Sequence, residues 1–100
     1  MGVEFFDTGS ELLINEIAPR VHNTGHYTQE AFSVSQFLLH IKAGLGETLP
    51  KLETTNSFCM INLIGGLNPQ IQFPSSIQGK LHWYNKNENR KGRKMGHLNY

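Results

Sequence analysis

Cysteine is almost absent from this sequence, in which Cys59 is the only one among 100 residues. One thiol excludes an internal disulfide and any zinc site built from several cysteines, and a reducing, cytoplasmic setting is therefore expected. Long apolar runs are also missing, since none approaches the roughly 20 residues that a membrane-spanning helix needs. The opening residues lack the basic flank and apolar core of a signal peptide. A membrane is thus not an expected partner.

Acidic residues are scarce toward the carboxyl end of the chain. Although the formal net charge is only +1, residues 80–100 carry six basic side chains and a single acidic one, Glu88. Such a basic cluster suits an anion, which leaves nucleic acid, a membrane surface or a phosphorylated metabolite as candidates beside a simple solvated turn. Tyr100 is the only aromatic residue after Tyr84, which is too few for a surface on which bases stack. Nucleic acid is therefore not the expected partner.

The first half of the sequence predicts a β-hairpin followed by a helix. Residues 3–6 and 12–17 are apolar and β-prone, and Gly9 lies in the turn between them. A helix is predicted from Thr28, a suitable N-cap, to Gly44, a suitable C-terminus. Apolar residues at intervals of three and four predict one buried face. The residues of this face are Ala31, Val34, Leu38, Ile41 and Leu45.

The second half of the sequence predicts a small β-rich unit. Strands are expected at residues 58–64, 81–84 and 94–100, the last two joined by a basic turn. The connector 47–56 and the stretch 67–79 have no regular pattern. The predicted fold class is therefore α+β. The predicted domains are residues 1–48 and residues 49–100.

Two glutamates of the predicted hairpin form the first candidate site. Glu4 and Glu16 lie on paired strands, where their carboxylates can converge on one hard cation, and Asn15 adds a neutral oxygen. A magnesium ion held in this way would bridge the phosphates of a nucleotide. The alternative is that both glutamates simply face solvent on a half-exposed hairpin.

A polar loop before the helix forms the second candidate site. Arg20 offers a planar fork of donors to an oxyanion, and Asn23 adds further donors. The start of the following helix favours negative charge, so bicarbonate or a transferring phosphoryl group would suit this loop. His22 and His26 either belong to the site or are capping and packing residues. A zinc site is not expected, because the loop lacks the helix that their four-residue spacing would require.

The basic turn after residue 84 forms the third candidate site. Lys86 and Arg93 flank it and are expected to face each other, where they would bind a phosphate group. Gly92 and Gly96 would let the backbone approach such a ligand closely. The alternative is a solvated turn with no ligand.

The motifs at these three sites occur together in one known family. The most specific are Asn-Glu-Ile-Ala-Pro-Arg-Val-His-Asn-Thr-Gly-His-Tyr-Thr at residues 15–28 and Gly-Arg-Lys-Met-Gly-His at residues 92–97. They resemble the 5-(carboxyamino)imidazole ribonucleotide synthase family, which are ATP-grasp ligases of purine biosynthesis. Shorter matches follow the family's order at residues 2–6, 13–14, 35–37, 60–65 and 81–84. Thr24 and Lys91 stand where serine and proline are common.

The resemblance implies the end of an ATP-grasp module, made of the hairpin and helix, followed by a small β-rich C-terminal domain. It implies ATP and magnesium as cofactors, bicarbonate and 5-aminoimidazole ribonucleotide as substrates, and a homodimeric parent enzyme. The implied roles are metal binding for Glu4 and Glu16, nucleotide binding for Asn15 and Glu16, catalysis for Arg20, His22 and Asn23, and substrate binding for His26, Lys86 and Arg93.

Members of this family are considerably longer than the 100 residues of this sequence. We therefore expect the C-terminal part of such a ligase, inactive by itself. The alternative hypothesis is a stand-alone module or subunit that binds a phosphorylated ribonucleotide. A basic nucleic-acid-binding domain is a third hypothesis, which strongly salt-dependent binding to non-specific duplex would support.

Overall fold

The computed structural model describes residues 1–54, 57–67, 76 and 78–100. The chain forms two compact units, Met1–Asn56 and Ser57–Tyr100. In the described residues, the first unit contains a two-stranded sheet with two short helices, and the second contains a three-stranded sheet. The predicted α+β class is thereby confirmed. The division into family domains after residue 48 stays a prediction.

The first unit opens with the predicted hairpin. Strand β1 (Gly2–Asp7) pairs antiparallel with strand β2 (Leu12–Ala18). Gly9 lies in the turn with φ of +84°, a left-handed conformation that glycine adopts without the steric cost of a Cβ atom. The Asp7 carboxylate accepts a hydrogen bond of 2.8 Å from the Gly9 N–H, which holds the turn closed.

A β-bulge interrupts this hairpin beside the predicted metal ligands. Glu4 lies opposite Glu16 but Phe5 lies opposite Ile14, so Asn15 is the extra residue of β2. In a regular strand the side chains of Asn15 and Glu16 would point to opposite faces of the sheet. The bulge re-aims a side chain here, and Asn15 Nδ2 donates a hydrogen bond to the Glu4 carboxylate.

The prediction of a single helix over residues 28–44 is wrong. The structure has two helices instead, α1 (Thr28–Ala31) and α2 (Gln36–Gly44). Between them the backbone of Phe32 is extended and pairs with Thr54, and tertiary pairing of this kind overrides local helix propensity. Ser35 then begins α2 as its N-cap, with its hydroxyl accepting a backbone N–H of the first turn at 3.4 Å.

The buried face predicted for that helix is confirmed only at its first two positions. Ala31 and Val34 are buried. The other three positions are exposed, by 45% at Leu38, 58% at Ile41 and 70% at Leu45. Because α2 restarts at Gln36, its turns have a new phase, and the spacing counted from Ala31 does not continue into it. The predicted helix end at Gly44 is confirmed.

The second unit is the predicted β-rich one. Its strands are β3 (Met60–Ile64), β4 (Lys80–Trp83) and β5 (Lys94–Asn99), paired antiparallel in the order β3-β5-β4. All three predicted strands are confirmed, with small shifts at their ends. The central strand β5 buries Met95, His97 and Asn99, which alternate along the strand and therefore share one face.

The described part of the connector 47–56 is hydrogen-bonded to the segment between the two helices of the first unit. The Glu53 carbonyl accepts a hydrogen bond of 2.8 Å from the Ser33 N–H. Residues 55–56 of the connector and most of the stretch 67–79, including Pro69 and Pro74, lie outside the described residues. In the part of the chain that is described, no helix has both the length and the apolar character needed to cross a membrane.

Candidate functional site

Two carboxylates of the hairpin lie directly opposite one another. Glu4 on β1 and Glu16 on β2 are paired across the ladder, an arrangement in which like charges destabilise a sheet. Their side chains are 31% and 50% exposed, so neither serves a hydrophobic core. This opposed pair beside the Asn15 amide is a donor set that suits a hard cation with oxygen ligands.

The imidazole of His22 lies between these carboxylates. Its Nε2 is 3.5 Å from Glu16 Oε1, and its Nδ1 is 3.9 Å from Glu4 Oε2. The Thr24 N–H donates to Nδ1 at 3.4 Å, and the Thr24 hydroxyl lies 2.8 Å from the same nitrogen. A nitrogen that accepts carries no proton, so a neutral His22 ring would carry its proton on Nε2, the nitrogen nearer Glu16. His22 therefore connects the hairpin to the polar loop.

The donor set on the hairpin is of a kind that would suit a magnesium ion shared with a nucleotide. Magnesium is usually held by one or two carboxylates together with substrate phosphates. Over residues 1–54, 57–67, 76 and 78–100, no three His, Cys, Asp or Glu side chains are placed to hold a metal ion. Glu4 and Glu16 form a set of two carboxylates, and phosphate oxygens would complete the coordination of a magnesium ion there.

The loop between β2 and α1 contains a compact turn and is not an extended segment. A 3-10 turn covers Asn23–Gly25. It is closed by a hydrogen bond of 3.0 Å from the Gly25 N–H to the His22 carbonyl and one of 3.1 Å from the His26 N–H to the Asn23 carbonyl. The Thr28 hydroxyl donates to the Gly25 carbonyl at 2.6 Å. The turn thus fixes the backbone of Asn23, the residue that follows His22.

Arg20 lies at the edge of a cavity of about 250 Å³ beside α2. Its Nη1 donates to the Val21 carbonyl at 3.0 Å. A guanidinium group has five N–H donors in a fixed fork, so this backbone contact uses only one of them. Gln36 lines the same cavity. The predicted oxyanion ligand Arg20 therefore lies on the loop and lines an open volume.

Sequence reasoning assigned no role to Gln36, the first residue of α2. Its Oε1 accepts a hydrogen bond of 3.0 Å from the His22 N–H, and its Nε2 donates to the His22 carbonyl at 2.7 Å. Nε2 also lies 2.6 Å from His26 Nδ1. These contacts join residues 10 and 14 positions apart, which no local periodicity predicts. The only signal in the sequence was the family match at residues 35–37, which includes Gln36.

The third candidate site lies on the turn between β4 and β5. Lys86 Nζ donates to the Lys94 carbonyl at 2.6 Å and lies 5.4 Å from the centre of the Tyr84 ring. Arg93 Nη1 donates to the Glu88 carbonyl at 3.2 Å. Both cations are thereby fixed against the backbone of the same turn. That they share one phosphate stays a prediction.

Gly92 and Gly96 have different surroundings in the structure, and the close approach of a ligand to either stays a prediction. A Cβ atom at Gly96 would lie 2.6 Å from the His82 carbonyl oxygen and 3.0 Å from the Trp83 ring. The close approach at Gly96 is therefore to strand β4. Gly92 adopts φ of +78° in the turn, a conformation that favours glycine.

A polar network that the sequence did not predict supports this turn. His97 is 1% exposed, and its ring stacks on His82 with centroids 4.5 Å apart and 14° between the planes. The Tyr84 hydroxyl lies 2.7 Å from His97 Nδ1. Buried polar groups that are hydrogen-bonded fix one geometry. The network therefore anchors Tyr84, the residue over which Lys86 lies.

Comparison with known sequences gives the class of protein to which this geometry belongs. The sequence model of the ATP-grasp domain matches residues 1–37, and that of the phosphoribosylaminoimidazole carboxylase C-terminal domain matches residues 59–100. The hairpin with its opposed carboxylates is thus part of an ATP-grasp domain, the fold of a class of ligases.

Within that class, the chain belongs to the N5-carboxyaminoimidazole ribonucleotide synthase family. It is 52% identical to the synthase of Haemophilus influenzae over 99% of its own length and 27% of the relative's. The synthetase structure from Thermus thermophilus is 45% identical, with a TM-score of 0.79 over 97% of this chain and 27% of that one. The Aspergillus clavatus synthase in complex with ADP and 5-aminoimidazole ribonucleotide is 36% identical, with a TM-score of 0.81 over 97% and 28% of the two chains. The chain thus spans less than a third of these relatives, and the resemblance identified from its motifs is confirmed.

Proposed function

We propose that this chain supplies part of the active site of a ligase that joins bicarbonate to 5-aminoimidazole ribonucleotide with hydrolysis of ATP to ADP and phosphate. The observation that carries the proposal is the cluster of Glu4, Asn15, Glu16 and His22 on and beside the bulged hairpin. The Aspergillus clavatus relative was solved with ADP and 5-aminoimidazole ribonucleotide, which supports both ligands. The other product would be the N5-carboxylated ribonucleotide of purine biosynthesis.

Glu4 and Glu16 would hold magnesium, with Asn15 and Glu16 at the nucleotide. A bound magnesium ion neutralises the phosphate oxygens on which charge is spread during phosphoryl transfer. The ladder places the two carboxylates opposite each other, and the bulge brings the Asn15 amide to Glu4. A cation would also relieve the repulsion between the carboxylates.

Arg20, His22 and Asn23 would act on bicarbonate. A bicarbonate oxygen attacks the γ-phosphorus of ATP and displaces ADP, which gives carboxyphosphate. The amine of the ribonucleotide then attacks the carboxyl carbon, and phosphate leaves. An arginine fork can bind such an oxyanion through two parallel hydrogen bonds. His22 would keep the polar loop beside the metal ligands, because its ring lies between Glu4 and Glu16.

His26, Lys86 and Arg93 would bind the ribonucleotide, the last two through its phosphate. Lysine contributes a point charge and arginine a planar fork, and both are common phosphate ligands. The enzyme would work in the cytoplasm, a reducing compartment consistent with a single cysteine in 100 residues. The family resemblance supports a homodimer as the state of the complete enzyme.

The 100 residues by themselves should not release phosphate from ATP. The match to the ATP-grasp domain covers only residues 1–37, and the chain spans 27% of its Haemophilus influenzae relative. The measurement is phosphate release by the purified chain with ATP, magnesium and bicarbonate, with and without 5-aminoimidazole ribonucleotide. We expect no release above the enzyme-free rate in either case.

A hybrid synthase supplies the positive arm of this test. In it, the present chain replaces the matching segment of the Haemophilus influenzae enzyme, to which it is 52% identical. We expect the hybrid synthase to release phosphate only when both bicarbonate and the ribonucleotide are present. Phosphate release by the chain alone would contradict its proposed inactivity. A hybrid synthase that folds and binds ADP but does not turn over would contradict the proposed function.

A further inference from the structure

The side chain of Gln36 joins both histidines of the polar loop. Its Oε1 accepts from the His22 N–H at 3.0 Å, and its Nε2 donates to the His22 carbonyl at 2.7 Å. Because a backbone N–H only donates and a carbonyl only accepts, these two contacts fix which end of the amide is oxygen and which is nitrogen. The amide nitrogen is thus the atom that lies 2.6 Å from His26 Nδ1.

This orientation determines the proton position on the His26 ring. An amide nitrogen has two N–H donors and no acceptor, so Gln36 Nε2 donates one to the His22 carbonyl and the other to His26 Nδ1. Nδ1 of His26 must then accept and carries no proton. The proton of the neutral ring lies on Nε2.

We propose that Gln36 is a positioning residue that fixes His26 in the Nε2-protonated tautomer and clamps the backbone of His22. The inference rests on the proposed function in one respect, the assignment of His26 to the ribonucleotide. Gln36 acts through the two histidines, since its amide is hydrogen-bonded to both of them. These hydrogen bonds are half-buried, and the lower local dielectric makes them stronger than they would be in water.

Gly25 provides a second way to disturb the same clamp. A Cβ atom at Gly25 would lie 2.7 Å from Gln36 Oε1 and 2.9 Å from its Cδ. The amide is the far end of a flexible side chain, so it can swing away at little cost to the fold. Gly25→Ala therefore displaces the amide without changing its chemistry, whereas Gln36→Glu changes its chemistry with little change in shape.

The tautomer is measured directly by the two-dimensional ¹⁵N–¹H NMR spectrum of the histidine rings in this chain. We expect His26 in the natural sequence to show an unprotonated Nδ1 and a protonated Nε2. In Gln36→Glu the carboxylate has no hydrogen-bond donor to offer Nδ1. The His26 ring should therefore be protonated on Nδ1, and this N–H should donate a hydrogen bond to the carboxylate. In Gly25→Ala the His26 ring should show a mixture of the two tautomers instead of the Nε2-protonated form alone. Gln78→Glu, the same chemical change at an exposed position of the second unit, should leave the His26 signals unchanged.

Kinetics of the hybrid synthase separate positioning from mere stabilisation. Gln36→Glu should raise the KM for 5-aminoimidazole ribonucleotide about tenfold, the loss of one hydrogen bond of ordinary strength, and leave the KM for ATP within about twofold. Gln78→Glu should change neither. A natural-sequence His26 that carries its proton on Nδ1, or a tautomer that neither Gln36→Glu nor Gly25→Ala alters, would overturn the inference. An inactive hybrid synthase with the expected NMR result would instead count against the proposed function alone.

Discussion

Replacing Glu16 by glutamine in the hybrid synthase should lower kcat by on the order of a hundredfold, which corresponds to about 2.7 kcal/mol of activation free energy. The glutamine side chain has the same shape but no charge. The cation would therefore be bound more weakly where charge is spread over the transferring phosphoryl group, and such charge stabilisation is worth several kcal/mol. The measurement is ribonucleotide-dependent phosphate release at saturating substrates, repeated over a range of magnesium concentrations.

The fold should not share this loss. Glu16 is 50% exposed and opposes Glu4 across the ladder, so removal of one negative charge relieves repulsion between strands. The midpoint of urea unfolding should stay the same or rise slightly. Glu11→Gln is the matched control, because Glu11 is an exposed residue of the same hairpin outside the carboxylate pair. Equal losses of activity in both variants, or a loss at Glu16 that tracks a loss of stability, would contradict the metal assignment.

Local sequence was sufficient for the elements whose cause is local. The hairpin follows from two β-prone segments and a glycine that takes the positive φ of the turn at Gly9. The three strands of the second unit likewise follow from apolar segments with turn residues between them. Glu4 and Glu16 were expected on paired strands for the same reason, and the ladder does place them opposite each other.

The remaining features depend on contacts between distant residues. The bulge at Asn15 has no signature of its own in the sequence, yet it decides which carboxylate the amide reaches. The helix break arises because Phe32 pairs with Thr54, and a hydrophobic repeat over residues 28–44 carries no trace of that pairing. The Gln36 clamp spans up to 14 positions. His97 is a polar strand residue that tertiary packing buries to 1% exposure.

Lys86 and Arg93 are the residues for which the second large effect is expected. Each uses one donor on the backbone of the turn, Lys86 at the Lys94 carbonyl and Arg93 at the Glu88 carbonyl. An ammonium group has three donors and a guanidinium five, so these contacts orient the cations without consuming their capacity. A phosphate bound here is remote from the amine that reacts. Its contacts should therefore contribute to ground-state binding and appear in KM rather than in kcat.

Lys86→Ala and Arg93→Ala in the hybrid synthase should each raise the KM for 5-aminoimidazole ribonucleotide by roughly ten- to a hundredfold, since hydrogen bonds to charged groups are worth about 1.5–3 kcal/mol. The KM for ATP should change by less than about threefold, well below the range expected for such a charged contact. The ribonucleotide effect should weaken as salt concentration rises, because screening already reduces the attraction in the unsubstituted enzyme.

Two further variants separate a phosphate site from a general effect of positive charge. Arg93→Lys keeps the charge but loses the planar fork, so it should recover only part of the lost affinity. Arg90→Ala removes a cation of the same turn whose side chain is 68% exposed and pairs with Glu88 at 3.2 Å. Exposed ion pairs contribute little, and this variant should leave the ribonucleotide KM within about twofold. If Arg90→Ala costs as much as Lys86→Ala, or if the KM values for ATP and ribonucleotide rise together, the basic residues form a solvated turn and the phosphate lies elsewhere.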